Sequence, residues 1–127
     1  MEMTHLQVLI TDDDIDFRQS LADALSRRGY GTILASDGLE ALKVIEHRNI
    51  HLAIMDVHMP RLDGLGMLES IRLKAPNLPC ILMSARLDPQ IVERARELRA
   101  ENILSKPFSL RVLSDTIRQV FERFYPC

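Results

Sequence analysis

Val8–Phe17 reads VLITDDDIDF. Val8–Thr11 has the character of a buried strand, and it runs straight into Asp12, Asp13, Asp14 and Asp16. Carboxylates this close repel one another and resist ionisation unless a cation or fixed donors offset them. The stretch is therefore either a solvated turn or a place built to hold positive charge. The spacing of Asp12, Asp14 and Asp16 imitates the start of a calcium loop. Phe17, however, stands where that loop needs its turn glycine, and Asp23 where it needs a bidentate Glu. Asp14 and Asp16 also sit where a helix begins, a position that favours acidic residues without any ligand.

The same punctuation recurs along the chain. Phe17, Leu21, Ala24 and Leu25 follow at helical spacing, and Gly29 stops them. Tyr30–Leu34 is a second apolar run. Asp37 and Glu40 are placed as a capping pair ahead of an Ala41, Leu42, Ile45 face. Leu52–Met55 is a third run, followed at once by Asp56, and Leu65, Leu68 and Ile71 mark a third helix. Pro79 opens a fourth run, Cys80–Met83, which ends at Ser84; Ile91, Ala95 and Leu98 mark a fourth helix. Asn102–Leu104 is a fifth run, ending near Lys106-Pro107. Ser109 is placed to cap a last helix with Leu110, Leu113, Ile117, Val120 and Phe121 facing inward, and the turn-like FYPC ending is expected to stop it.

Five strands thus alternate with five helices, an α/β pattern. Continuous apolar runs, rather than in–out alternation, are expected of strands covered on both faces. The implied architecture is a doubly wound five-stranded parallel sheet flanked by five helices. Such sheets bind ligands beyond the carboxyl ends of their strands, where strand order reverses. Asp12 and Asp13 follow the first strand, Asp56 the third, Ser84 the fourth and Lys106 the fifth. All would project from one edge.

The 127 residues, 46% hydrophobic and 27% charged with a net charge of -2, suffice for one domain over 1–127, with Met1–Thr4 and Pro126–Cys127 expected to be flexible. The near-neutral balance leaves no electrostatic footprint for direct nucleic-acid binding, and no apolar run reaches membrane-spanning length. MEMTHLQ lacks the apolar core of a secretory signal. Cys80 reads as a small buried hydrophobe and Cys127 as exposed, a usage that fits a reducing, cytoplasmic setting. His5, His47 and His51 read as surface residues, Met55, Met59, Met67 and Met83 as core filler, and Glu93–Arg99 as a solvated helix face.

Three facing carboxylates need a cation, and an all-oxygen set suits a hard ion such as Mg²⁺. Mg²⁺ keeps several waters and takes one or two carboxylates plus a phosphate oxygen. A Lys and a Ser opposite suit the remaining oxygens of a phosphoryl group. A carboxylate can itself be the nucleophile and form an acyl phosphate. The pocket reads as an aspartate, Asp56, that accepts phosphate beside Mg²⁺.

VLITDDD (Val8–Asp14), LAIMDVHMPRLDG (Leu52–Gly64), ILMSA (Ile81–Ala85) and ILSKPF (Ile103–Phe108), in this order, resemble the receiver domain of two-component response regulators over essentially the whole chain. The resemblance implies a flavodoxin-like sheet of strand order 2-1-3-4-5. It implies that Asp56 takes a phosphoryl group from a sensor histidine kinase or a histidine phosphotransfer protein. Asp12 and Asp13, with Asp56, would hold Mg²⁺, and His58 would offer the metal its backbone carbonyl. Ser84 would be the switch hydroxyl and Lys106 the phosphoryl-contacting cation. Asp63-Gly64 would close the loop after the third strand, and Lys106-Pro107 would be a cis peptide. Such a domain is a signalling switch rather than an enzyme, catalysing only its own phosphorylation and dephosphorylation. Its fourth helix, fifth strand and fifth helix would form the switched surface, read by a downstream effector that the sequence does not name. Phosphorylation-dependent homodimerisation is a further expectation.

Two residues depart from the family pattern. Ile103 stands where an aromatic residue is usual, and Arg99 where glycine is common. Arg86, two after Ser84, is a candidate for controlling water access to the phosphate. Ile103 motivates an alternative reading, a constitutive interaction domain that keeps the fold without switching. A stand-alone Mg²⁺-dependent phosphatase with an aspartyl intermediate is a third, although the core fold leaves no residues for a cap domain.

Overall fold

The computed structural model describes residues 6–126; the expectations placed on Met1–Thr4, His5 and Cys127 lie outside them. Strands and helices alternate as β1 (Gln7–Thr11), α1 (Ile15–Arg27), β2 (Gly31–Ala35), α2 (Gly38–His47), β3 (Leu52–Asp56), α3 (Gly64–Lys74), β4 (Cys80–Ser84), α4 (Pro89–Glu97), β5 (Asn102–Ser105) and α5 (Leu110–Phe124). The sheet is parallel throughout, in the order β2-β1-β3-β4-β5. The chain therefore doubles back at β1, with β2 on one side and β3 on the other. Register puts Thr11 beside Ala35 and Met55, Asp56 beside Met83, and Ser84 beside Ser105. The carboxyl ends of the five strands consequently finish within two residues of one another at one edge of the sheet.

Alternate strand residues point to opposite faces, and the core divides accordingly. Val8, Ile10, Ile54, Ile81 and Met83 pack with Leu21 and Leu25 of α1 and with Leu113, Ile117 and Phe121 of α5. Leu9, Ala53, Met55 and Leu82 pack on the other face with Met67, Leu68 and Ile71 of α3 and Ala95 of α4. Burying each such large aliphatic side chain contributes about 1.5–3 kcal/mol. Short polar side chains begin every helix: Asp14, Asp37, Asp63, Asp88 and Ser109 each accept a first-turn amide.

Several expectations need correcting. Only the central strands β1, β3 and β4 are buried almost throughout; β2 and β5, at the edges, are partly open. Leu110 is 38% exposed rather than inward, because it opens α5 beyond the layer that Leu113 and Ile117 cover. Asp37 accepts the Glu40 amide at 2.9 Å as half of the expected capping pair, but the Glu40 carboxylate accepts from the Ser36 hydroxyl at 2.8 Å instead of returning to the Asp37 amide. His51 is a structural residue rather than a surface one. Its Nδ1 accepts the Gln7 amide at 3.0 Å, its carbonyl accepts the Tyr125 hydroxyl at 2.8 Å, and its ring meets Tyr125 edge-on. Lys106-Pro107 is cis. Among the described residues, no helix is long and apolar enough to cross a membrane.

Candidate functional site

Main-chain hydrogen bonds continue the sheet one residue past its strands, and that continuation fixes the site. The Asp12 amide donates to the Ala35 carbonyl at 3.2 Å, the Val57 amide to Met83 at 2.8 Å, and the Lys106 amide to Ser84 at 2.8 Å. Asp12, Asp56, Ser84 and Lys106 are thereby set on backbone that cannot shift without breaking strand pairing. Gly64 closes the β3–α3 loop over this edge, its amide donating to the Val57 carbonyl at 2.9 Å. A Cβ there would press on the Asp56 carbonyl and lie 2.8 Å from the Val57 Cα.

The side chains converge as the strand ends suggest. One carboxylate oxygen from each of Asp12, Asp13 and Asp56 lies within 4.8 Å of the other two. Asp12 is fully buried and Asp56 nearly so, whereas Asp13 is exposed. Asp12 spends one oxygen on the Asp14 amide at 2.9 Å. Its other oxygen accepts from Lys106 Nζ at 2.8 Å, and the same ammonium reaches Asp56 Oδ2 at 3.3 Å. Burial alone would pull the Lys106 pKa down, but the Asp12 and Asp56 carboxylates outweigh it and hold the ammonium above the ordinary lysine value. Asp14 caps α1 through the Phe17 amide, as a residue without a ligand role should.

Ser84 and His58 meet on the far side. Ser84 Oγ donates to the Arg86 carbonyl, accepts the Arg86 amide at 3.1 Å, and lies 3.4 Å from His58 Nε2. His58 also enters the site through its main chain, its amide donating to Asp56 Oδ1 at 3.2 Å. Arg86 thus touches Ser84 through its backbone. A cleft of about 310 Å³ lined by His58, Arg86, Leu87, Asp88, Pro89 and Ile91 opens beside this pair. A larger cleft, about 370 Å³, lies at the opposite end of the sheet around Ile45, Ile50, Leu78 and Tyr125 and holds none of the acidic triad.

Three contacts were not legible from spacing. Arg18 donates to the Asp12 carbonyl at 2.7 Å, bracing the acidic loop from α1. Arg61, at φ 66°, pairs with the buried Asp37 and ties the β3–α3 loop to the start of α2. Phe17, which helical spacing marks only as an apolar face, lies under Lys106. Its apolar character was readable, but its neighbour 89 positions away belongs to the fold.

The donor set fits Mg²⁺: three carboxylates converge, with oxygen donors only, at an edge where one acid is open to solvent. A model of the response regulator receiver domain matches residues 8–118. The probable chemotaxis protein CheY of Rhizobium etli is 38% identical over 120 residues, covering 91% of this chain and 92% of that protein. The probable transcriptional regulator ycf27 of Cyanophora paradoxa is 36% identical over 97% of this chain, which spans about half (51%) of that relative. Among solved structures, Vibrio cholerae CheY4 superposes with a TM-score of 0.86 at 28% identity, covering 91% of this chain and 98% of that one. The response regulator protein TrrA of Thermotoga maritima, in complex with Mg²⁺-BeF, gives 0.83 at 28% identity with the same coverage.

Proposed function

The chain belongs to the response regulator receiver domain family, a part of two-component signalling, and from that premise we propose that it is a phosphorylation switch whose acceptor is Asp56. The observation that carries this reading is the convergence of Asp12, Asp13 and Asp56 with Lys106 bridging two of them. An Asp56 carboxylate oxygen attacks phosphorus, forming an acyl phosphate P–O bond. The donor's P–N bond to a kinase or phosphotransfer histidine breaks, and its electron pair leaves with the imidazole; with acetyl phosphate the P–O bond to acetate breaks instead. Asp12, Asp13 and Asp56, with the His58 carbonyl, would hold Mg²⁺, which when bound offsets charge on the transferring group. Lys106 neutralises a phosphoryl oxygen from the β5 side. Ser84 gives up the Arg86 carbonyl to donate to another, drawing the β4–α4 loop inward and biasing the α4–β5–α5 surface.

On this reading the chain is not an enzyme toward other substrates, works in the cytoplasm, and passes its state to an effector or to a second phosphorylated copy. The test is intact-protein mass spectrometry after incubation with acetyl phosphate. One phosphoryl adduct is expected with Mg²⁺, and none in chelator or in Asp56→Asn. An adduct of equal yield in Asp56→Asn would refute the assignment.

A further inference from the structure

Lys106 is held from two sides. Toward the sheet, Nζ bonds Asp12 and Asp56; toward α1, it stands 4.1 Å from the centroid of the Phe17 ring. Phe17 is itself anchored. Its amide is tied to the α1 cap Asp14 at 3.1 Å, its ring packs against the core, and Phe108 meets it edge-on at 6.0 Å and 78°. The lysine therefore rests on an aromatic shelf built from the first turn of α1 and the β5–α5 loop.

We propose that Phe17 is a positioning residue that keeps the Lys106 ammonium at the phosphoryl site once a divalent cation has taken the carboxylates. This rests on the reading of Asp56 as a Mg²⁺-assisted acceptor. The Asp12 and Asp56 carboxylates that hold Lys106 belong to the same cluster a cation would occupy, so metal and ammonium compete for them. The ring face is different: it attracts a cation through its quadrupole and offers a hard ion no ligand atom. The grip of Phe17 therefore survives metal binding where the carboxylate bonds weaken. An ammonium kept there remains close to Asp56, where a phosphoryl oxygen needs it, instead of moving into solvent.

The test compares wild type, Phe17→Leu and Phe17→Tyr, using Mg²⁺ alone and beryllofluoride with saturating Mg²⁺ as probes. By NMR, the Lys106 side-chain methylene protons are expected to show a ring-current upfield shift that persists with Mg²⁺ and beryllofluoride and disappears in Phe17→Leu. Phe17→Leu keeps apolar bulk without the π face, so beryllofluoride binding should weaken about three- to tenfold while Mg²⁺ binding changes by less than about twofold. Phe17→Tyr should resemble wild type. In a Lys106→Ala background, Phe17→Leu should cost nothing further. Loss of the wild-type ring-current shift on adding Mg²⁺ would overturn the proposal, as would equal weakening of Mg²⁺ and beryllofluoride binding in folded Phe17→Leu. If Phe17→Leu does not fold, the wild-type shift decides. Failure of wild type to bind either probe would sink the phosphorylation reading with it; binding of both without the shift would sink only the role of Phe17.

Discussion

Gly64 and Arg99 show how single backbone positions constrain this molecule. At Gly64 the obstruction is the main chain of Asp56 and Val57, which cannot rotate away as a side chain could. Gly64→Ala should therefore cost about 1–3 kcal/mol in urea unfolding, and it should slow phosphorylation because the displaced backbone is that of the proposed acceptor. Arg99 has the opposite problem. Its φ of 61° places an L-residue in the left-handed region, held by an Arg72 guanidinium on its carbonyl at 3.1 Å. Glycine keeps that carbonyl and removes the Cβ conflict, so Arg99→Gly is expected to stabilise the fold by about 1 kcal/mol in the same assay. At Cys80 the constraint lies in the side chain instead. Burial pushes its thiol up to about 12, so alkylation mapped to its peptide should require unfolding.

Packing of the elements at the amino ends of the strands depends on a histidine. His51 precedes β3, takes the Gln7 amide of β1, and packs on Tyr125 where α5 ends. Burial lowers its pKa below the ordinary 6.5, and an Nδ1 that accepts a hydrogen bond must be unprotonated. A lowered folded pKa means that the unfolded chain binds the proton more readily. The stabilisation is thus complete above about pH 6.5 and is lost as pH falls through the folded value. Thermal melts of wild type should decline more steeply than those of His51→Asn from pH 6.5 downward; parallel curves would show that His51 does not link the fold to pH. The partner of His51, Tyr125, is reached only because α5 runs to Phe124 with Leu113, Ile117, Val120 and Phe121 as its buried face.

Across the whole domain, the acidic edge is a stability liability that the fold offsets with one lysine. Asp12 is buried, so Lys106→Met leaves a carboxylate in low dielectric without its cation. The metal-free protein should lose about 3 kcal/mol, near the low end for such pairs because Lys106 remains partly exposed. On the proposed reading, Mg²⁺ would substitute for the missing charge. It should bind this variant more tightly than wild type and restore much of the loss, measured as chemical denaturation with and without the ion. In wild type, Mg²⁺ at a hundredfold excess over its Kd should add about 2.7 kcal/mol, and Asp13→Asn should reduce that gain. If Mg²⁺ leaves both proteins unchanged, the acidic cluster is not a metal site.

Much of this was readable in residue order because it is local physics. A strand is an apolar run, a helix start is a short polar side chain, and a parallel sheet sends every strand's end to one edge. Asp12, Asp13, Asp56, Ser84 and Lys106 could therefore be placed together without coordinates. What needed the tertiary structure was distance along and between elements. Periodicity gave the angle of Leu110 around α5 but not that the core stops short of it. Nothing near His51 in sequence reveals Gln7 and Tyr125, and nothing beside Phe17 reveals Lys106. Those contacts arise only when crossovers bring α1, β5 and the strand ends together, since a side chain's chemistry is its own but its neighbours are set by topology.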